Sequence, residues 1–109
     1  MSSSLTTTML VQSALAMANR NMVAMVLVRR GDADNGAVLV RLDLPDGTAI
    51  IESRTLDIDG RYRWTVLAGD PPLSIEEADA RLAREISFDP DCWIVAIDSA
   101  IGDNPLRDL

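Results

Sequence analysis

The sequence predicts an α+β domain, with an antiparallel-rich sheet of about five strands and two helices in the order helix, four strands, helix, strand. Three observations lead to this prediction. Short apolar runs have the length of strands, and turn sequences rich in Asp, Gly and Pro separate them. Two further stretches have the composition or the capping residues of helices. The chain has 109 residues, which is the size of one domain.

The N-terminal part is expected to form a tail followed by a helix. Residues 1–8 are small and polar, and we expect this tail to be frayed. One of the three threonines at 6–8 offers an N-cap for the stretch up to about Asn19, whose Ala, Leu and Met content favours a helix. Residues 6–11 are also compatible with a short strand that leads into this helix.

The middle of the chain predicts four strands. They are expected at residues 22–28, 37–43, 48–54 and 61–68. The first of them is apolar at every position, which indicates a strand covered on both faces. Pro45, Asp46 and Gly47 form a turn sequence, because proline presets the first turning residue and glycine accepts a positive φ. An antiparallel meander of these four strands is the simplest topology.

A second helix follows the four strands. Ser74 and Glu77 have the spacing of a capping box, in which each side chain bonds the other residue's backbone amide. Arg81 lies four residues from both Glu77 and Glu85, which is the spacing of helical ion pairs. The helix is expected to end near Ile86, and its buried stripe is expected to consist of Ile75, Ala78, Leu82 and Ile86.

The fifth strand is expected at residues 92–97 and is again apolar on both faces. The domain then spans residues 9–98, and residues 99–109 form a polar tail that we expect to be loose. Strands that are apolar on both faces require cover on both sides of the sheet. Either the two helices lie on opposite sides or a second subunit supplies the missing cover. Because a chain of this size buries a limited surface, we predict a homodimer.

The composition restricts the possible chemistry. The chain has no histidine and one cysteine, and all ten of its basic residues are arginines, since lysine is absent. These absences argue against His-based or Lys-based catalysis, Cys/His zinc sites and internal disulfides, and we expect neither a cofactor nor a metal. A net charge of -7 argues against nucleic acid as a partner. Polar residues interrupt the apolar stretch at 9–28, so we expect no membrane span.

The lone cysteine points to a location in the cell. Cys92 stands in an apolar run, where a buried free thiol behaves as a small hydrophobic side chain. A single unpaired thiol is typical of a reducing compartment, so we expect a cytoplasmic protein. The first basic residue, Arg20, follows the short apolar N-terminal segment, whereas a secretory signal would have positive charge before it.

One candidate functional segment lies where the second helix ends. Its candidate residues are Arg84, Glu85, Asp89, Asp91 and Trp93. A functional interpretation makes the carboxylates a site for a hard metal ion or an acid/base pair. A structural interpretation, which we favour, has Asp89 leave the helix before a proline while the aspartates bond nearby amides.

The arginines form a second candidate set. Residues proposed to contact an anion or a partner are Arg29, Arg30, Asp32, Arg41 and Arg63. If Arg41 and Arg63 share a sheet face with Arg54 or Arg61, they would form a site for a carboxylate or a phosphate. The alternative is that these arginines pair with the abundant aspartates, because arginine performs every ordinary surface role in a chain without lysine.

Several of these stretches also resemble a known family. They are Arg-Arg-Gly-Asp at 29–32, Gly-Ala-Val-Leu-Val at 36–40, Arg-Leu-Ala-Arg-Glu at 81–85, and Phe-Asp-Pro-Asp at 88–91 with Trp93 and Val95 behind it. Together they are similar to the alphaproteobacterial family named domain of unknown function 1491. The first helix departs from the family pattern, since it has Arg20 in place of paired arginines. The resemblance implies a single bacterial cytoplasmic domain and no assigned activity.

Three functional hypotheses follow. The first and preferred one is a non-enzymatic binding or assembly module that acts as a homodimer and contacts a partner through a sheet face or the turn at 29–32. The second is a small metal-assisted or carboxylate-based hydrolase that uses the segment from Arg84 to Asp91. The third is binding of an anionic ligand through the sheet arginines.

Overall fold

The structure is a computed structural model that describes residues 6–34 and 36–109. Across these residues it contains two α-helices, a five-stranded sheet and a short 3-10 helix, so the predicted α+β class is confirmed. The elements in chain order are α1 (Thr7–Arg20), β1 (Met25–Arg29), β2 (Val38–Asp43), β3 (Thr48–Leu56), β4 (Tyr62–Ser74), α2 (Ile75–Phe88), β5 (Trp93–Asp98) and the 3-10 helix η1 (Pro105–Asp108).

The strands are arranged in the order β1-β5-β2-β3-β4. β5 is antiparallel to β1 and parallel to β2, while β2, β3 and β4 form an antiparallel meander. The predicted meander of four strands is therefore wrong at its first step, because β1 pairs with β5 and not with β2. The reason is burial: β5 is apolar on both faces, and in its position inside the sheet the cores on both sides cover its faces while β1 and β2 pair its two edges.

The two helices lie on opposite faces of the sheet. On the α1 face, Val40 and Val95 pack in one core with Leu10 of the helix. On the α2 face, Leu39 and Ile94 pack in a second core with Leu82 of the other helix. Of the two arrangements considered from the sequence, the one with helices on opposite sides is found, and it accounts for β5, which is buried on both faces. The prediction that the first strand is covered on both faces is wrong, because Val26 and Val28 of β1 are exposed at the edge of the sheet.

The N-terminal helix begins earlier than the sequence suggests. Thr6 is the N-cap, and its hydroxyl oxygen accepts a hydrogen bond of 3.2 Å from the amide of Met9. Residues 7–11 are therefore helical and not a strand. Thr7 is buried inside the first turn, so the polar tail does not extend to residue 8, and its first five residues lie outside the described residues.

The second helix confirms the capping box. The Ser74 hydroxyl accepts from the Glu77 amide at 3.1 Å, and the Glu77 carboxylate accepts from the Ser74 amide at 3.0 Å. Hydrogen bonds from Ser74 lower the pKa of Glu77. The predicted stripe is buried at Ala78 and Leu82, but Ile75 in the first turn is exposed. Of the two carboxylates spaced four residues from Arg81, Glu77 belongs to the capping box and Glu85 forms an ion pair with Arg81 at 3.2 Å.

Strand β4 is longer than predicted and passes through Pro71 and Pro72. The two prolines predict that the strand ends before residue 69, because proline has no backbone N–H to donate. β4 lies at the edge of the sheet, however, and a proline is tolerated there where its nitrogen faces away from the neighbouring strand. Register shifts between Ala49 and Glu52 of the partner β3 accompany this extension.

The C-terminal segment is part of the domain, in contrast to the loose tail expected at 99–109. Leu106 is fully buried in the core on the α1 face. The Asn104 amide donates to Glu52 at 3.2 Å, and Arg107 forms an ion pair of 2.7 Å with the same buried carboxylate. A single leucine between polar residues has no periodicity, so the sequence pattern does not reveal this contact.

Candidate functional site

Two of the candidate segments come together around Trp93. Trp93 begins β5 and is 1% exposed, with its ring in the core on the α1 face. The indole N–H donates to the carbonyl oxygen of Asp32 at 2.7 Å. The Arg30 guanidinium lies 5.4 Å from the centre of the indole ring, within the range of a cation–π contact. We name residues 29–32, Gly36 and 91–93 the tryptophan cluster.

The two glycines of this cluster lie so close to neighbouring residues that there is no room for a side chain. A Cβ atom at Gly31 would lie 2.7 Å from Cδ1 of Trp93, and one at Gly36 would lie 2.8 Å from the same atom. Both are shorter than real Cβ contacts. The glycines at 31 and 36 therefore allow the loop between β1 and β2 to lie directly against the start of β5.

Hydrogen bonds to backbone carbonyls fix this loop on both sides. The Asp32 amide donates to the Asp91 carbonyl at 2.9 Å, and Arg29 donates from Nη1 to the Cys92 carbonyl at 2.7 Å. On the other side, the Thr8 amide and hydroxyl both donate to the Ala33 carbonyl at 3.0 Å. Hydrogen bonds thus join the first turn of α1, the loop and the start of β5.

The candidate segment at the end of α2 has mainly structural contacts. Asp89 is the C-cap, and its side chain accepts from the Asp91 amide at 3.1 Å. Glu85 pairs with Arg81, and the Arg84 guanidinium lies 5.7 Å from the Phe88 ring centre. Within residues 6–34 and 36–109, no three His, Cys, Asp or Glu side chains form a group that could hold a metal ion.

Cys92 lies within this segment but is shielded. Its side chain is buried against Ala78, Leu82 and Ile94 on the α2 face. Burial raises the pKa of the Cys92 thiol, with a smaller contribution from the negative charge of Asp89. Since the thiolate is the nucleophilic form, the thiol is poorly suited to reaction at neutral pH.

The structure does not bring the sheet arginines together. Arg41 lies on the α2 face and bonds Asp43 at 2.8 and 3.2 Å, and these bonds raise the pKa of Arg41. Arg63 pairs with Asp57 at the far edge strand, and that bond lowers the pKa of Asp57. Arg54 stacks 3.6 Å from the Tyr62 ring centre. Arg41 and Arg63 thus each pair with an aspartate, and Arg54 contacts a tyrosine ring.

Three of the predicted candidate residues belong to the tryptophan cluster and are exposed. They are Arg30, Asp32 and Asp91. Two other features were not predicted from the sequence. One is the free edge of β1 with its exposed valines, and the other is a cavity where β2 and β5 end. Neither gives a sequence signal, because each depends on β5 lying between β1 and β2.

Comparison with known proteins agrees with this fold. A family model described as "Protein of unknown function (DUF1491)" matches residues 5–107. Among curated proteins, none matches the chain at a significant level. Within the described residues, no helix is long and apolar enough to cross a membrane.

Solved structures are similar over most of the chain. The crystal structure of a DUF1491 family protein from Caulobacter crescentus CB15 has 31% identity and a TM-score of 0.76, covering 88% of this chain and 89% of that chain. An NMR structure of a DUF1491 family protein from the same organism has 31% identity and a TM-score of 0.77, covering 91% and 89%. The solution structure of protein Atu0922 from A. tumefaciens shares the fold. It has 22% identity and a TM-score of 0.73, covering 92% of this chain and 97% of that chain. The chain therefore belongs to the DUF1491 family of proteins of unknown function.

Proposed function

We propose that this protein is a non-enzymatic assembly module and that two copies pair through the edge strand β1. The observation that carries this proposal is the unpaired outer edge of β1. β1 is the terminal strand of the sheet, and among the described residues none pairs with its outer side. Its outward row of amides and carbonyls is therefore open to a second strand.

The side chains of β1 support the same pairing. Val26 and Val28 are 61% and 52% exposed. Val26 is the register partner of Ala96, a neighbour of Ile94, so it lies on the α2 face of the sheet. Helix α2 makes its main contacts with β3 and β4, and it leaves Val26 and Val28 exposed. Two antiparallel copies of β1 would place the valines of one protomer beside those of its partner.

The two edges of the sheet differ in protection. The opposite edge strand, β4, contains Pro71 and Pro72 and two register shifts against β3, which are devices that block pairing with another strand. Residues 25–28 of β1 include no charge and no proline. This contrast supports a second copy of the chain as the occupant of the β1 edge.

The expected dimer is weak. β1 has five residues, and a register shift between Leu27 and Arg29 shortens its regular part. A pairing of this length buries little surface, so we expect dissociation in the micromolar range. We also infer that the protein acts in the cytoplasm, since the buried free thiol of Cys92 suits a reducing compartment.

The contacts of the candidate side chains at the end of α2 support a non-enzymatic role. Asp89 caps α2, Glu85 pairs with Arg81, and Cys92 is buried with a raised pKa. Groups held in such contacts are not free to transfer protons or attack a substrate.

Light scattering coupled to size-exclusion chromatography tests the pairing. The wild-type mass is expected to rise towards twice 11.8 kDa as the concentration increases through the micromolar range. Val26→Glu should remain monomeric, because it would bring two carboxylates into the small apolar contact between the paired strands. Ile58→Glu is the matched control, since Ile58 is fully exposed in the turn before β4. A wild-type monomer throughout, or an unaffected Val26→Glu dimer, would overturn the proposal.

A further inference from the structure

A cavity of about 650 Å³ opens at the end of the sheet where β2 and β5 finish. These two strands run parallel and adjacent, so their last residues, Asp43 and Asp98, are register partners at the same edge. The segment at 22–24, which connects α1 to β1, forms a further wall. The size is within the range of cavities that hold small molecules.

The walls of the cavity combine apolar side chains with negative charge. Met22, Val23, Leu44 and Pro45 supply apolar surface. Asp43 and Asp98 supply two carboxylates, and none of the described residues that line the cavity is basic. Because neighbouring strands are about 4.8 Å apart, the two aspartates lie side by side.

The two carboxylates differ in their partners. Both oxygens of Asp43 are engaged by Arg41, which also contacts Asp79 at 3.4 Å. Asp98 is exposed, and within the described residues its carboxylate has neither an ion-pair partner nor a hydrogen-bond donor. One guanidinium thus serves Asp43 and Asp79, while the charge of Asp98 is left uncompensated at the mouth of the cavity.

Met22 adds an unusual apolar group at the rim. It follows the C-cap of α1 and has a φ of 57°, a conformation in which glycine is the common residue. The Val23 amide donates to the Ala18 carbonyl at 2.8 Å, which holds this turn in place. The Met22 side chain is 94% exposed, so it is available to contact a bound molecule instead of the core.

We propose that this cavity binds a small organic cation, with an ammonium or guanidinium group on the carboxylate of Asp98 and an alkyl part against Met22, Leu44 and Pro45. Charge complementarity selects a cation, since Arg41 neutralises Asp43 from outside the lining, whereas Asp98 keeps its negative charge and no basic residue lines the cavity. The apolar walls select a ligand with a hydrocarbon portion over a bare metal ion. This inference is independent of the pairing through β1, because the cavity is lined by residues of one chain.

An NMR titration with hexylamine, hexanol and hexanoate near pH 7 tests the charge preference. These probes have the same chain length and differ in charge. Hexylamine is expected to shift the backbone amides of residues 22–24, 43–44 and 98–100. Hexanol should bind about tenfold more weakly, since it lacks the ion pair, and hexanoate more weakly still. Equal binding of hexylamine and hexanoate, or no shift of these amides at all, would overturn the proposal.

Two isosteric variants localise the site. Asp98→Asn keeps the shape of the side chain and removes its charge, so hexylamine affinity should fall about tenfold. Asp59→Asn makes the same change at an exposed position in the turn before β4 and should leave the affinity unchanged. If both variants weaken binding equally, the attraction reflects the net charge of -7 and not this cavity.

Discussion

The indole N–H of Trp93 donates to the carbonyl oxygen of Asp32 over 2.7 Å, and this bond joins two residues that are 61 positions apart in the chain. It ties the loop after β1 to the first residue of β5. A buried indole needs such a partner, because an unpaired donor in the core costs about 1–3 kcal/mol. The bond therefore explains why a tryptophan and a tight, glycine-rich turn occur together in this sequence.

The first prediction concerns the close approach of Gly31. Gly31→Ala should destabilise the fold by about 2 kcal/mol or more, because the new methyl group would meet the backbone at Asp91 and Cys92 as well as the Trp93 ring. Urea denaturation gives the free energy of unfolding. Gly47→Ala is the comparison, since Gly47 has open space around it but a φ of 85°, and it should cost about 1 kcal/mol. Equal costs at the two positions would contradict the steric explanation.

The second prediction concerns the C-terminal segment. Leu106→Ala should lower the free energy of unfolding by about 3 kcal/mol, since Leu106 is fully buried in the core on the α1 face. Leu109→Ala, at a half-exposed leucine three residues later, should stay within about 0.5 kcal/mol of wild type. Thermal and urea denaturation measure both variants. A neutral Leu106→Ala would mean that residues 99–109 are a detachable tail.

The third prediction concerns pH and the capping box. Because the folded pKa of Glu77 is lowered, its charge stabilises the fold at pH values above the ordinary glutamate pKa of 4.5, and this contribution is lost as the pH falls through the folded value. The stability difference between wild type and Glu77→Gln should therefore be constant near neutrality and shrink in acid.

The control for this experiment is Glu76→Gln. Glu76 lies in the same first turn of α2 but is not part of the capping box. It therefore controls for the loss of a carboxylate near the start of the helix without loss of the capping hydrogen bonds. Urea denaturation between pH 7 and pH 3 checks both variants, and parallel curves for the two would argue against a special role for Glu77.

The fourth prediction concerns Cys92. Burial and a raised pKa both lower the amount of accessible thiolate, so iodoacetamide at pH 8 should modify the native protein very slowly. Addition of urea should make modification fast, because unfolding exposes the thiol and restores its ordinary pKa. Mass spectrometry follows the added group. Rapid modification of the native protein would show that the α2 face opens at this point.

The sequence predicts local features of this fold well and distant pairings poorly. The capping box of Ser74 and Glu77 is visible because both partners lie within one helical turn. The position of β5 is not visible, since an apolar run indicates burial on both faces but not which strands flank it. The meander is therefore predicted correctly from β2 to β4, where neighbours in sequence are neighbours in the sheet, and wrongly at β1.

The candidate site shows the same limit. The turn at 29–32 and the segment that ends in Trp93 are both candidates from the sequence, but as two separate sets. Their contact depends on the space that Gly31 leaves beside the Trp93 ring, which no composition or spacing reveals. The cavity beside Asp98 depends in turn on the parallel pairing of β2 with β5.

The central position of β5 also has a consequence for biosynthesis. β5 is the last strand to leave the ribosome, yet it is the strand that joins β1 to the rest of the sheet. A nascent chain that stops before Trp93 has α1 and β1 without the neighbour that fixes them. The meander of β2 to β4 can form before β5 is synthesised, whereas β1 can join the sheet only once Trp93–Asp98 has been made, so we expect closure of the sheet to be a late folding step.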